Sequence, residues 1–222
     1  MKHVVYEAIP RLGRQRAIRE IESGFTDRVI RALLSLATYD SDRCWVQKIC
    51  VKQSKSLDES VRGIAVLCFG HLARIHGTLE MGSAIRALLG ALEDSSDYVR
   101  GQAVTALDDI LTFCVAQRYD RTAAISQLES LRLDDVLLAL AAIVKHDQDA
   151  QFALAKCLEY STHPNEVVRG QALRGLATLV WDHKHLDLEA AIPILTEAAK
   201  TPGYAGECAA NALESINTYL EG

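Results

Sequence analysis

ESVRGIA at residues 59–65, DYVRGQA at 97–103 and EVVRGQA at 166–172 write one phrase three times, with an acid, a valine, an arginine, a glycine and an alanine at fixed offsets. Four and seven residues after each alanine stands an apolar residue: Phe69 and Leu72, Leu107 and Ile110, Leu176 and Leu179. Those offsets mark one face of a helix. The acid opens the first turn, where a carboxylate caps free amides and meets the positive end of the helix dipole. Ahead of each phrase stands a turn signal, SKSLD, EDSSD or STHPN. Ahead of that runs a second amphipathic segment: WVQKICVKQ from 45, AIRALLGALE from 84 and AQFALAKCLE from 150. The repeating unit is therefore helix, turn, helix.

The phrase glycines, at 63, 101 and 170, are 38 and then 69 residues apart. The second interval is close to twice a period of about 35 residues, the range of helical-pair repeats. A degenerate pair is therefore expected over 118–147, from RTAAISQLES and LDDVLLALAAIVKH. A final pair follows, because Ala209, Leu213 and Ile216 stand 37 residues after Ala172, Leu176 and Leu179. It lacks the arginine and the acid, as the outer unit of a stack does when its flank meets solvent. The expected organisation is a single domain: a divergent cap over 1–40, repeats over 41–77 and 78–117, the degenerate 118–147, and repeats over 148–184 and 185–222.

Composition agrees with helices and narrows the chemistry. The chain has 222 residues, 49% of them hydrophobic and only 6% aromatic, with 4 prolines. That is enough apolar surface for a large core, and alanine with leucine favours helix over sheet. Its 24 basic and 29 acidic residues give a net charge of -5. Residues 1–31 hold seven of the bases and four of the acids, so the rest, at 17 against 25, is near -8. A nucleic-acid binder carries the opposite balance. MKHVVYEAIPRLGR has no apolar core of a signal peptide, and VLLALAAIV at 136–144 is too short to span a bilayer. A cytoplasmic location is expected. The six cysteines, at 44, 50, 68, 114, 157 and 208, form no CxxC pair and read as small core residues. His71 and His76, or His183 and His185, do not make a zinc set. No cofactor, metal or catalytic residue is expected.

With an acid at the turn, a VR step and an alanine four residues before a leucine, residues 40–220 resemble HEAT repeats of the short variety. The resemblance implies an all-α fold, a right-handed α-solenoid (an α-α superhelix) of five or six antiparallel helix pairs. It also implies a ladder in which turn acids bond second-helix arginines: Glu59 with Arg62, Asp97 with Arg100, Glu166 with Arg169. The stretch VRGIAVLCFGHLARIHG at 61–77 is similar to segments of bacterial HEAT-like immunity proteins of contact-dependent inhibition and other polymorphic toxin systems. That likeness implies a non-enzymatic protein-binding module whose partner is a secreted toxin, such as a basic nuclease, held on an acidic surface. A generic scaffold is the alternative. HEAT-like DNA glycosylases use a basic, aromatic-rich concave face and bilin lyases a chromophore site, and neither is spelled here.

Angular position selects the binding face. With the phrase alanine in the core, residues five and nine later point away from it at about 100° per residue. These are Gly70 and Arg74, Asp108 and Thr112, Ala177 and Trp181, flanked by His71, Asp109 and Arg174. The candidate partner-binding residues are therefore His71, Arg74, Asp108, Asp109, Arg174 and Trp181, while Trp45 reads as core. The acids of EDSSD and of Asp134 with Asp135 would form a rim. By the same count the phrase glycines lie about 160° from the alanine, toward an adjoining helix or a bound partner.

Overall fold

The computed structural model of the chain describes residues 8–115, 119–183, 186 and 190–221, with side chains as far as 218. Residues 1–7 of the expected cap, and His185, lie outside them. Among the described residues there are twelve helices and no strand. They come in consecutive pairs. These are α1 (Arg14–Glu22) with α2 (Thr26–Tyr39), α3 (Arg43–Gln53) with α4 (Glu59–His76), and α5 (Met81–Leu92) with α6 (Asp97–Phe113). The series goes on with α7 (Arg121–Leu128) and α8 (Leu133–His146), α9 (Ala150–Tyr160) and α10 (Glu166–Asp182), and α11 (Ala191–Ala198) and α12 (Tyr204–Glu221). The members of each pair pack on each other. Segment 118–147 thus holds a full pair, α7 and α8.

Contacts gather into two compact units, Met1–Cys114 and Val115–Gly222. In the first, the second helices pack in order, α2 on α4 and α4 on α6, while α3 packs on α5. In the second, α8 packs on α10 and α10 on α12. Leu33, Leu36, Phe69, Leu72, Leu107 and Ile110 are fully buried in unit 1, as are Leu140, Ile143, Leu173 and Leu176 in unit 2. Close approach follows from small side chains. A Cβ on Gly70 would lie 2.6 Å from Asp109 Oδ2 and 3.1 Å from Ala106 Cα. Gly70, expected to face outward, is therefore buried, because the flank of α4 away from the core alanine is the one that meets α6.

The acid of each phrase is not the cap. Asp58 accepts from Val61 N, and Asn165 accepts from Val167 N and Val168 N, one residue before Glu59 and Glu166. The phrase arginine ties the turn together. Arg62 donates to the carbonyls of Ser56 and Leu57, each at 2.9 Å. Arg169 donates to those of His163 (2.8 Å) and Pro164 (2.9 Å). Arg100 donates to that of Asp94 (2.7 Å) and also meets Asp97. A helical side chain leans toward the N-terminus, so an arginine in the first turn reaches over the turn behind it. The expected pairing of Arg62 with Glu59 gives way to a bidentate one with Asp94, at 2.9 and 3.0 Å. Glu166 reaches its neighbour's backbone, accepting from Ala205 N at 3.3 Å.

Unit 2 repeats unit 1. Arg14 and Arg121, Asp40 and Asp147, Asp42 and Asp149, Cys50 and Cys157, Glu59 and Glu166, Arg62 and Arg169, Gly63 and Gly170 are each 107 residues apart. Helix starts keep that offset: α2 and α8 at 26 and 133, α3 and α9 at 43 and 150, α4 and α10 at 59 and 166. The contacts repeat with the letters. Arg14 is bidentate to Asp40, Nε to Oδ2 and Nη2 to Oδ1, both 2.6 Å and 26 residues apart. Arg121 binds Asp147 in the same way across the same 26 residues, Nε to Oδ2 at 2.7 Å. Each aspartate also accepts the N–H two residues on, and that residue caps the next helix. Each arginine then lies over an aromatic ring of that helix, Arg14 over Trp45 at 4.8 Å and Arg121 over Phe152 at 4.6 Å. Trp45 is accordingly half-buried rather than a core residue.

The Arg14 hydrogen bonds hold Asp40 below the usual carboxylate range. At Asp147, whose side chain is 1% exposed, burial pushes upward, but the bonds from Arg121 and Tyr119 outweigh it and the net shift is down. Carboxylates depressed on folding contribute stability that is present above their unfolded value near 4 and lost as pH falls through the folded one. Thermal melts should therefore lose stability below about pH 4. Asp147→Ala should lower stability at pH 7 by about 2 kcal/mol. Asp97→Ala, whose side chain is 93% exposed, should change it by less than about 0.5 kcal/mol.

Candidate partner-binding site

Three of the six candidate residues meet where α4 lies along α6. Arg74 Nη2 donates to Asp109 Oδ1 at 2.8 Å and to Oδ2 at 2.7 Å. The guanidinium stands 5.8 Å over the ring of Phe113, one helical turn beyond Asp109. His71, one turn before Arg74, is half-buried beside them. Burial pushes its pKa down, Arg74 adds to that, and Asp109 opposes both. Phe113 and Ile75 remain 42% and 49% exposed, so an apolar edge adjoins a charged pair. Neither was among the candidates, although Phe113, four residues after Asp109, shares its helical face.

The acid doublet divides between two faces. Asp109 turns to α4 and its charge is paired, whereas Asp108 sits on the next stripe of α6 and is half-buried. The expected acidic rim is engaged in turns. Asp94 accepts from Arg62 and from Ser96 N, Asp134 is buried against Arg132, and Asp135 accepts from Ser130 Oγ at 2.8 Å. Net acidity belongs to unit 2, with 9 bases against 15 acids over 115–222, whereas 1–114 carry 15 against 14.

Arg174 and Trp181 belong to unit 2, both on α10, and do not share the first group's surroundings. Trp181 is 52% exposed at the end of the helix, and Arg174 is half-buried with its charge acting on the Tyr204 hydroxyl and the Cys208 thiol. Trp181 and Arg74 occupy the same place in the two units, being 107 residues apart. Of the cysteines, 50, 68, 157 and 208 are buried and Cys114 is half-buried. Cys44 corrects the expectation by being exposed, since it precedes by one turn the residues that turn α3 to the core. It borders a surface cavity of about 470 Å³ lined by Gln47, Lys48, Val51, Glu80 and Ser83. There Gln47 serves the start of α5, donating to Glu80 O and Ser83 Oγ and accepting from Glu80 N.

Among the described residues no group of three or more His, Cys, Asp or Glu could hold a metal ion. No described helix is long and apolar enough to cross a membrane.

No protein-family model matches the chain, and no characterised protein matches it in sequence. Among solved structures, half of the chain (50%) is similar to 97% of a chain in the crystal structure of a CDI complex from Cupriavidus taiwanensis LMG 19424, at 31% identity and a TM-score of 0.46. An engineered protein is similar over 92% of this chain and 96% of its own, at 16% identity and a TM-score of 0.38.

The histidine reports on the cluster. Followed by NMR, His71 should titrate below the ordinary value near 6.5. Its midpoint should rise in Arg74→Ala, which removes a like charge, and fall in Asp109→Asn, which removes an opposite one. A midpoint unmoved by either change would separate His71 from the pair.

Proposed function

We propose that the chain is a non-enzymatic protein-binding module, and specifically an immunity protein that neutralises a cognate secreted bacterial toxin of basic character. The observation that carries the binding reading is the surface of α4 and α6. Arg74 lies bidentate on Asp109, between exposed Phe113 and Ile75. Arginine and aromatic side chains are the groups most often found as interface anchors. The guanidinium is already oriented by two hydrogen bonds, so little rotamer freedom remains to be lost on binding. Phe113 and Ile75 supply apolar area that water leaves when a partner arrives.

Charge favours a basic partner. Unit 2 holds six more acids than bases, as its 15 and 9 show, and such an excess steers an oppositely charged protein while adding mainly to its association rate. Asp109 plays a different part from the one its charge implies, since it positions Arg74. The resemblance of residues 61–77 to immunity proteins supplies the finer assignment. The CDI-complex chain is compatible with that reading and is not what it rests on.

The test is co-expression with the product of the gene immediately upstream, followed by titration calorimetry of the purified pair. A nanomolar complex and rescue of growth are expected, and failure of that product to bind would end the immunity reading. Within the complex, Arg74→Ala and Phe113→Ala should each weaken affinity at least tenfold, with melting temperatures within about 2 °C of the parent. Raising salt from 50 to 500 mM should slow association more than it speeds dissociation.

A further inference from the structure

The phrase glycine is a seat for a tyrosine ring. A Cβ on Gly63 would lie 2.5 and 2.8 Å from the ring of Tyr98, with Gln102 Cγ at 3.4 Å. One on Gly170 would lie 2.5 and 2.6 Å from the ring of Tyr204, with Cys208 Sγ at 3.2 Å. In both, the tyrosine comes from the first turn of the following second helix, and the residue four later completes the contact. The third glycine differs. A Cβ on Gly101 would meet nothing within 4 Å among the described residues, and the residue is exposed in the middle of α6. It needs no left-handed backbone, since the positive-φ glycines are 24, 77 and 203. An exposed glycine inside a helix is unfavourable relative to alanine, and at Gly101 no contact within the structure offsets that.

We infer that Gly101 is the docking point for a tyrosine presented from the first turn of a helix of the partner protein. The inference rests on the protein-binding reading and names the chemistry of that partner. The occupant is fixed by the two filled seats, which show what the groove beside a VRG glycine accepts: an aromatic ring lying flat on the backbone, with a side chain of medium size one turn on. Around Gly101 the helix offers such a ring room. Thr105 is exposed and turns its hydroxyl inward, Oγ1 donating to Gly101 O at 3.0 Å. An alanine methyl would occupy the place where the ring lies against Gly63 and Gly170.

Three full-length variants separate an external occupant from an internal one. Gly63→Ala and Gly170→Ala should lower the melting temperature, the second more, because Tyr204 is 7% exposed and Tyr98 42%. Gly101→Ala should raise it, by about 2 °C. If it falls as in the other two, the chain fills its own third seat and the proposal is overturned.

Docking is read by NMR with a synthetic peptide copying residues 200–218, which carries Tyr204, against the same peptide with Tyr204→Ala. The tyrosine peptide should shift the Gly101 and Thr105 amides, and the shifts should vanish with the alanine peptide and with the Gly101→Ala protein. Equal shifts from both peptides, or none from either, would overturn it. With the upstream gene product, Gly101→Ala should weaken binding at least tenfold. If the parent binds and the variant binds equally well, the seat falls and the module reading stands. If the parent binds nothing, the module reading falls while the peptide titration still decides the seat.

Discussion

Close packing of second helix on second helix is the constraint from which most of this structure follows. A helix such as α4 is contacted by α2, α3, α5 and α6, so little of its circumference is left for large side chains. Interaxial distance depends on what stands at the contact, and α4 places Gly63 and Gly70 toward α6. The residues lost to bulk there are recovered from the other side, where Tyr98 covers Gly63 and the Asp109 carboxylate lies against Gly70. Glycine in these helices therefore costs helix propensity and returns van der Waals contact with a neighbour. Arg74 depends on the same approach, because the α6 flank that meets Gly70 also carries Asp109 into its reach.

The turns are held by charge rather than by bulk. Asp40 and Asp147 each gather an arginine from the helix before and the amide two residues on, and hand the chain to a capping aspartate. A carboxylate that accepts from a planar guanidinium and from a backbone amide is fixed in direction. The angle at which one pair leaves the next is thus set by a few charge-assisted bonds at the ends of helices whose sides are apolar. That the same assembly stands at both places, with its aromatic lid changed from Trp45 to Phe152, shows which parts are required for the geometry: the arginine, two aspartates and any flat ring.

Helices and pairing were legible in the sequence because they depend on near neighbours. The offsets after Ala65, Ala103 and Ala172 placed α4, α6 and α10, and the turn signals placed the breaks between helices. The uneven spacing of the glycines, 38 and then 69 residues, was harder to read. It does not mark a lost single repeat between even ones. It marks the same two positions of a three-pair block, of which the second copy keeps Gly170 and has changed the last helix. The 107-residue offset was present in the letters, but its strongest carriers, Arg14 and Arg121 or Asp40 and Asp147, lie outside the phrase. The outward face was partly misjudged for a related reason. An angle measured from one core residue does not tell which flank a neighbouring helix will take, and so Gly70 and Asp109 are turned to each other.

The two units also separate what the fold requires from what it leaves open. Wherever a residue holds a turn or a core, the copies agree, as at Arg62 and Arg169 or Leu72 and Leu179. On the exposed stripe of the middle second helix they part: His71 answers to Thr178, Arg74 to Trp181, Ile75 to Asp182. Packing does not demand this, since Arg74 and Trp181 both extend into solvent. Charge has parted as well, with the acid excess confined to residues 115–222. A block kept twice for its geometry and changed twice on one stripe is suited to presenting unlike surfaces from like frames. Arginine with phenylalanine on the first and tryptophan on the second are both side chains that carry binding energy at protein interfaces. Function in this chain is therefore to be sought where the repeats disagree.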